Sequence, residues 1–125
     1  MDFDTILLEK DKGVMTISMN RPDRLNAWTR KMGQELAQAI TMGNNDPDVL
    51  AFVFTGVGRG FCAGADVKDV FEVQSEGGDT GTSDSSGNWV DLIRNSKPVV
   101  AAINGAAIGV GLTQVLPMDF IVSSA

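Results

Sequence analysis

Two stretches of this chain place small residues where backbone amides could do chemistry. "FCAGADV" (61–67) follows the glycine-studded "TGVGRG" (55–60), and "INGAAIGVG" (103–111) follows an apolar run. Both belong to one construction, an apolar strand, then small residues, then a helical start: "VLAFVFTGVGRGFCAGADV" (49–67) and "PVVAAINGAAIGVGLTQV" (98–115). Small residues let a ligand approach the main chain closely, and the first turn of a helix leaves N–H groups without internal partners. Such a place suits a developing anion. If Ala65 and Val110 aim their N–H groups at one point, they form an oxyanion hole that stabilises an enolate or a tetrahedral intermediate. Two other readings stand beside this one. A phosphate cradle would call for GxxxxGK(S/T) or a dinucleotide fingerprint with its acidic residue correctly spaced, and the chain has neither. Tight turns where helices cross a sheet closely would use the same small residues, although the duplication favours a site.

The remaining chemistry is narrow. With no histidine, Ser-His-Asp and Cys-His arrangements are excluded. The single cysteine, Cys62, has no partner for a disulfide or a structural zinc site, so no metal is expected, and it reads as a small buried filler rather than a nucleophile. Asp66, after small residues and before a helical run, reads as a cap for unpaired amides, with Asp69 in the first turn. A capping carboxylate has its pKa pushed down, which argues against Asp66 as a general base.

The elements that must position these groups follow from pattern. At 125 residues, 43% hydrophobic and 21% charged, the chain suits one soluble domain. Phe3, Ile6 and Leu8, then Val14, Ile17 and Met19, flank the polar "EKDKG" (9–13) and predict a hairpin. "NRPDRLNA" (20–27) is a loop. Met32, Leu36, Ala37 and Ile40 recur at helical spacing behind a capping Thr29, and that helix stops at "GNNDP" (43–47). "VLAFVFTG" (49–56) and the strand within 97–103 read as buried on both faces. Short helices are expected at 65–73 and 89–95, and the polar segment 74–88 between them reads as a mobile loop. Beyond the second glycine cluster come the rest of a helix, a turn at Pro117 and a buried strand, Phe120 to Val122, with nothing to cover its second face, so the domain reads as unfinished. Strand, helix, strand is the unit of a parallel or mixed sheet.

Charge and hydropathy bound the partners. The net charge of -6 and the scattered basic residues argue against nucleic acid. The longest apolar run, Pro98 to Ile103, is far too short to span a bilayer and no signal-peptide pattern opens the chain, so the expectation is a cytoplasmic protein without a membrane partner.

"NRPDRLNA", "GFCAGADV" and "KPVVAAINGAAIGVGLTQVLPMDFIVSSA" resemble three sequence hallmarks of the crotonase superfamily, the enoyl-CoA hydratases and isomerases. The resemblance runs from about Phe3 to Ala125, apart from 74–88, and covers the N-terminal half of the expected domain. It implies an α/β fold, a spiral of repeated ββα units that is incomplete here, assembled as a homotrimer or hexamer. It also implies that Ala65 and Val110 donate to the carbonyl of an acyl-CoA thioester, a substrate rather than a cofactor. Arg24, Leu25 and Ala27, with Ala63, Asp66 and Val67, would line its pantetheine and adenine parts. Coenzyme A is polyanionic, and Arg24, Arg59 and Lys68 are the basic candidates for its phosphates. Hydratases of the family carry a glutamate three residues after the second donor, where this chain has Thr113. A threonine hydroxyl cannot replace a carboxylate as general base. "GVGLT" (109–113) looks more like the isomerases, which need one base that moves a proton between two carbons. A hydratase, another coenzyme A thioester reaction, and a catalytically silent binding module remain as alternatives.

Overall fold

The structure is a computed structural model, and residues 3–69 and 89–124 are described. The expected mobile stretch 74–88 lies outside the described residues. The predicted hairpin forms with a shorter connection: β1 (Ile6–Asp11) takes in Glu9, Lys10 and Asp11 of the polar segment expected to join the strands and pairs antiparallel with β2 (Val14–Met19). Its two-residue turn, Lys12 and Gly13, has φ of 51° and 84°, the left-handed pair that matches the twist of the strands it joins.

Thr29 caps α1 (Arg30–Asn44) as expected, its hydroxyl accepting from the Met32 amide at 3.1 Å. At the other end of α1 the Lys97 ammonium donates to the carbonyls of Gly43, Asp46 and Val49 at 3.0, 2.7 and 2.6 Å. These satisfy acceptors that a helix terminus and the following turn leave free. β3 (Ala51–Gly56) lies parallel to β2, and β4 (Val99–Ile103) lies parallel to β3. A one-turn helix, α2 (Val110–Thr113), then leads to β5 (Phe120–Ser123), parallel to β4. Residues 67–69 and 89–94 are also helical.

Strand order is sequential, β1-β2-β3-β4-β5. Register places Met15 and Ile17 of β2 beside Phe52 and Phe54 of β3, and these beside Val99 and Ala101 of β4, on one buried face. α1 covers that face with Met32, Leu36, Ala39 and Ile40; Ala39 is fully buried, whereas Ala37, expected on the apolar side, is half-buried. Among the described residues β3 and β4 are not covered on both sides as expected. Val53 and Val100, paired on the opposite face, are half-exposed, because α1 lies on the other side. β5 likewise departs from expectation, with all four residues exposed. Met15, Met19 and Met32 do pack in the core. Because β2, β3 and β4 all run the same way, their C-terminal ends deliver three loops, 20–28, 57–66 and 104–109, to one edge of the sheet.

Candidate functional site

The three loops are welded by two asparagines. Asn26 is fully buried; its carbonyl accepts from the Arg21 amide at 2.7 Å, and its amide donates to the carbonyls of Val57 and Gly60 at 3.0 and 2.9 Å. From the other side, Asn104 accepts from the Gly56 amide at 3.2 Å and donates to the Gly58 carbonyl at 2.9 Å. The first loop holds Leu25 and Asn26 in succession at φ of 51° and 57°, a left-handed pair that non-glycine residues rarely adopt. Its cost is offset by the three hydrogen bonds Asn26 gains there.

Backbone bonds then place the small residues. Cys62 bridges the third loop, its amide donating to the Ala106 carbonyl and its carbonyl accepting from the Ile108 amide, both at 3.0 Å. On its other side the same segment bridges the first loop. The Trp28 amide donates to the Gly64 carbonyl, and the Asp66 amide donates to the Trp28 carbonyl, both at 2.7 Å. The Gly64 carbonyl therefore points at Trp28. In a trans peptide the N–H points the opposite way, so the Ala65 N–H faces away from the first loop.

The same reasoning orients Val110. The Gly109 carbonyl accepts from the amides of Leu112 and Thr113, both at 3.0 Å, and so points into α2. The Val110 N–H is thereby directed out of the helix start. Among the described residues neither the Ala65 nor the Val110 N–H has a hydrogen-bond partner, although the amides of Ala63, Asp66, Gly111 and Leu112 around them do. The two segments touch through their main chains. A Cβ on Gly111 would lie 2.3 Å from the Cys62 carbonyl oxygen, closer than any side chain tolerates. Gly109 adopts φ 58° and ψ -123°, which a side chain would strain, and this turn aims the amide that follows it.

Asp66 is placed as a cap. One carboxylate oxygen accepts from the amides of Lys68 and Asp69 at 3.1 and 3.4 Å, and the other accepts from the Arg21 guanidinium at 3.1 Å. Burial pushes its carboxyl up, but the Arg21 bond and charge and the two amides outweigh this and hold it below the usual aspartate range. It is ionised and fully engaged, an unsuitable base near neutral pH. Burial pushes the Cys62 thiol up, as suits a filler rather than a nucleophile. Trp28 is half-buried and packs against the core, its indole so close to Gly33 that a Cβ there would meet the ring at 2.5 Å.

The other expected lining residues lie on the first two loops and just after the second. Leu25, Ala27 and Ala63 are half-buried, with the Ala63 amide donating to the Leu25 carbonyl at 3.0 Å; Val67 is exposed. Arg24, Arg59 and Lys68 are exposed, and none forms an ion pair among the described residues. Sequence reasoning missed Arg21, Asn26 and Asn104. Arg21 and Asn26 were read as part of the loop 20–27 and Asn104 as part of a strand running into glycines, because a polar residue that forms a local turn and one that reaches across to a second loop look the same in sequence. No group of three or more potential metal ligands occurs among the described residues, and no helix among them is long and apolar enough to cross a membrane.

Comparison with known proteins bears on the family and the fold. The family profile described as "Enoyl-CoA hydratase/isomerase" matches residues 9–125. A probable enoyl-CoA hydratase of Mycobacterium tuberculosis is 38% identical over 117 residues, which cover 94% of this chain and 46% of that protein. The 1,2-epoxyphenylacetyl-CoA isomerase of Escherichia coli is 35% identical, covering 95% of this chain and 47% of its own. Among solved structures, Pseudomonas aeruginosa AtuE superposes with a TM-score of 0.89 at 30% identity, over 98% of this chain and 48% of that one. An enoyl-CoA hydratase/isomerase from Mycobacterium paratuberculosis gives 0.75 at 36% identity, over 98% and 46%. The chain spans about half the length of the curated relatives it matches. The fold is accordingly part of a crotonase-like spiral, and the chain belongs to the enoyl-CoA hydratase/isomerase family.

Proposed function

We propose that the Ala65 and Val110 amides form an oxyanion hole for the carbonyl oxygen of an acyl-CoA thioester, and that the protein to which this chain belongs stabilises the thioester enolate. The observation that carries the proposal is the pair of outward-directed N–H groups, unpartnered among the described residues, on two segments bonded to each other at the C-terminal edge of the parallel strands. When a proton leaves the α or γ carbon, negative charge collects on the thioester oxygen. Two fixed amides aimed at that oxygen stabilise the charge without reorganising, and one such donor contributes about 3 kcal/mol to the transition state. Leu25, Ala27, Ala63 and Val67, with the main chain at Asp66, line the coenzyme, and the exposed Arg24, Arg59 and Lys68 meet its phosphates. Assembly as a homotrimer or hexamer belongs to the same reading.

The reaction is closer to isomerisation than to hydration. Thr113, three residues after Val110, offers a hydroxyl where two-carboxylate hydration needs a base, and Asp66 is spent on Arg21 and two amides. A single carboxylate elsewhere, moving one proton from the α to the γ carbon across the dienolate, suffices for an isomerase. The test is incubation, in oxygen-18 water, with a 3-enoyl-CoA thioester and separately with its conjugated 2-enoyl isomer. Conversion of the 3-enoyl thioester to the unlabelled 2-enoyl product supports isomerisation, whereas a labelled 3-hydroxyacyl product from the 2-enoyl thioester establishes hydration. Thioester binding with neither product reduces the function to binding.

A further inference from the structure

We infer that Arg21 is a positioning residue that couples the coenzyme-facing loop to the Ala65 amide. The inference rests on the oxyanion-hole reading and deepens it. Arg21 was not among the basic residues expected to matter, and it differs from them in being turned inward, with its side chain 23% exposed. One guanidinium nitrogen donates to the Ala27 carbonyl at 2.6 Å, and another donates to the Asp66 carboxylate at 3.1 Å.

Those two acceptors lie on either side of the Trp28–Ala65 bridge: Ala27 immediately precedes Trp28, and Asp66 immediately follows Ala65. The guanidinium fork therefore spans the backbone pairing that turns the Gly64 carbonyl toward Trp28 and the Ala65 N–H away from it. The base of the fork is fixed as well, since the Arg21 amide is held by the buried Asn26. A lysine could not replace it, because an ammonium is a point charge at the end of a flexible stem and lacks two donors in a rigid plane. Movement of Leu25 and Ala27 against a seated coenzyme passes through this fork to Ala65, so the loop that binds the remote part of the substrate sets the aim of one donor at the reacting carbonyl.

The experiment compares the wild-type chain with Arg21→Lys, using a cinnamoyl thioester of coenzyme A as the probe and free coenzyme A as the binding control. The conjugated thioester absorbs at longer wavelength when its carbonyl is polarised. In Arg21→Lys, free coenzyme A is expected to bind within about twofold of wild type while the absorption shift at saturation falls by about half or more, since the fork acts on aim rather than on coenzyme contact. A lower melting temperature with an undiminished shift at saturation would make Arg21 merely structural and overturn the inference. A wild-type chain that binds the thioester without any shift would overturn the oxyanion-hole reading itself. Asp66→Asn, which keeps shape and capping oxygen, is the second variant. It must also lose part of the shift, and a full shift in it contradicts the coupling even if Arg21→Lys does not fold.

Discussion

Two parts of the molecule use the same device for different purposes. At the sheet edge opposite the loops, Lys97 closes the end of α1 by donating to three carbonyls, and along the same helix Glu35 is a buried carboxylate that accepts from the amides of Asp4 and Thr5, both at 2.8 Å, and from the Thr5 hydroxyl. There every main-chain group the clamp touches is satisfied, and the result is a docked helix. At the loop edge, Asn26, Asn104 and the Arg21–Asp66 pair hold the main chain just as firmly, yet they leave the Ala65 and Val110 amides without partners among the described residues. Clamping that completes the hydrogen bonding stabilises the fold; clamping that stops two bonds short prepares a place for a ligand's charge.

The contrast is broken most severely at Asn26. Asn26→Ala strands one amide and two carbonyls in the interior and should cost about 3–4 kcal/mol, read as a drop in the urea midpoint, with thioester binding lost in the fraction that still folds. Val110→Pro separates the two purposes more sharply. It removes a single N–H at the first position of α2, where proline is tolerated. Stability should change by less than about 1 kcal/mol, while the thioester turnover expected under the proposed function falls by about 100- to 1,000-fold. Equal losses in both would mean that the amide serves the fold.

In the other part, Lys97→Met should cost about 2 kcal/mol of stability by freeing three carbonyls, and should leave the cinnamoyl-CoA absorption shift unchanged. Glu35→Gln should cost about 1–2 kcal/mol at neutral pH. Burial pushes the Glu35 carboxyl up, but the Thr5 hydroxyl and the amides of Asp4 and Thr5 hold it below its ordinary 4.5. A carboxylate whose pKa is lowered by folding contributes stability that is fully present above its unfolded value. That contribution is lost as the pH falls through the lower folded value. Urea midpoints measured from pH 6 downward should therefore fall more steeply in wild type than in Glu35→Gln, and parallel profiles would show that the latch carries no proton-linked stability.

Much of the frame was readable from residue types. The period-two hairpin, the Thr29 cap and the change to helical spacing after it all depend on neighbours in sequence, and they stand where expected. The cap at Asp66 was readable for the same reason. The covering of β3 and β4 was not, because an apolar run records that a strand avoids water but not how many layers shield it. Val53 and Val100 are half-exposed in consequence. The long-range clamps were also invisible. Asn26 reaches 34 residues along the chain to Gly60, and Arg21 reaches 45 to Asp66, distances over which no local spacing rule operates. The two donor amides could be nominated from the duplicated small-residue clusters and the family resemblance, but their direction depends on the Trp28 and α2 hydrogen bonds.

The measurement that bears most directly on the central claim is a heteronuclear NMR titration of the nitrogen-15-labelled chain with crotonyl-CoA, using free coenzyme A as the control. The account predicts that the Ala65 and Val110 amide protons shift downfield together with the thioester and stay in place with coenzyme A alone, because only the thioester brings an acceptor oxygen to them. If the thioester binds and those two signals do not move, or only one of them does, the two amides do not form a common oxyanion hole.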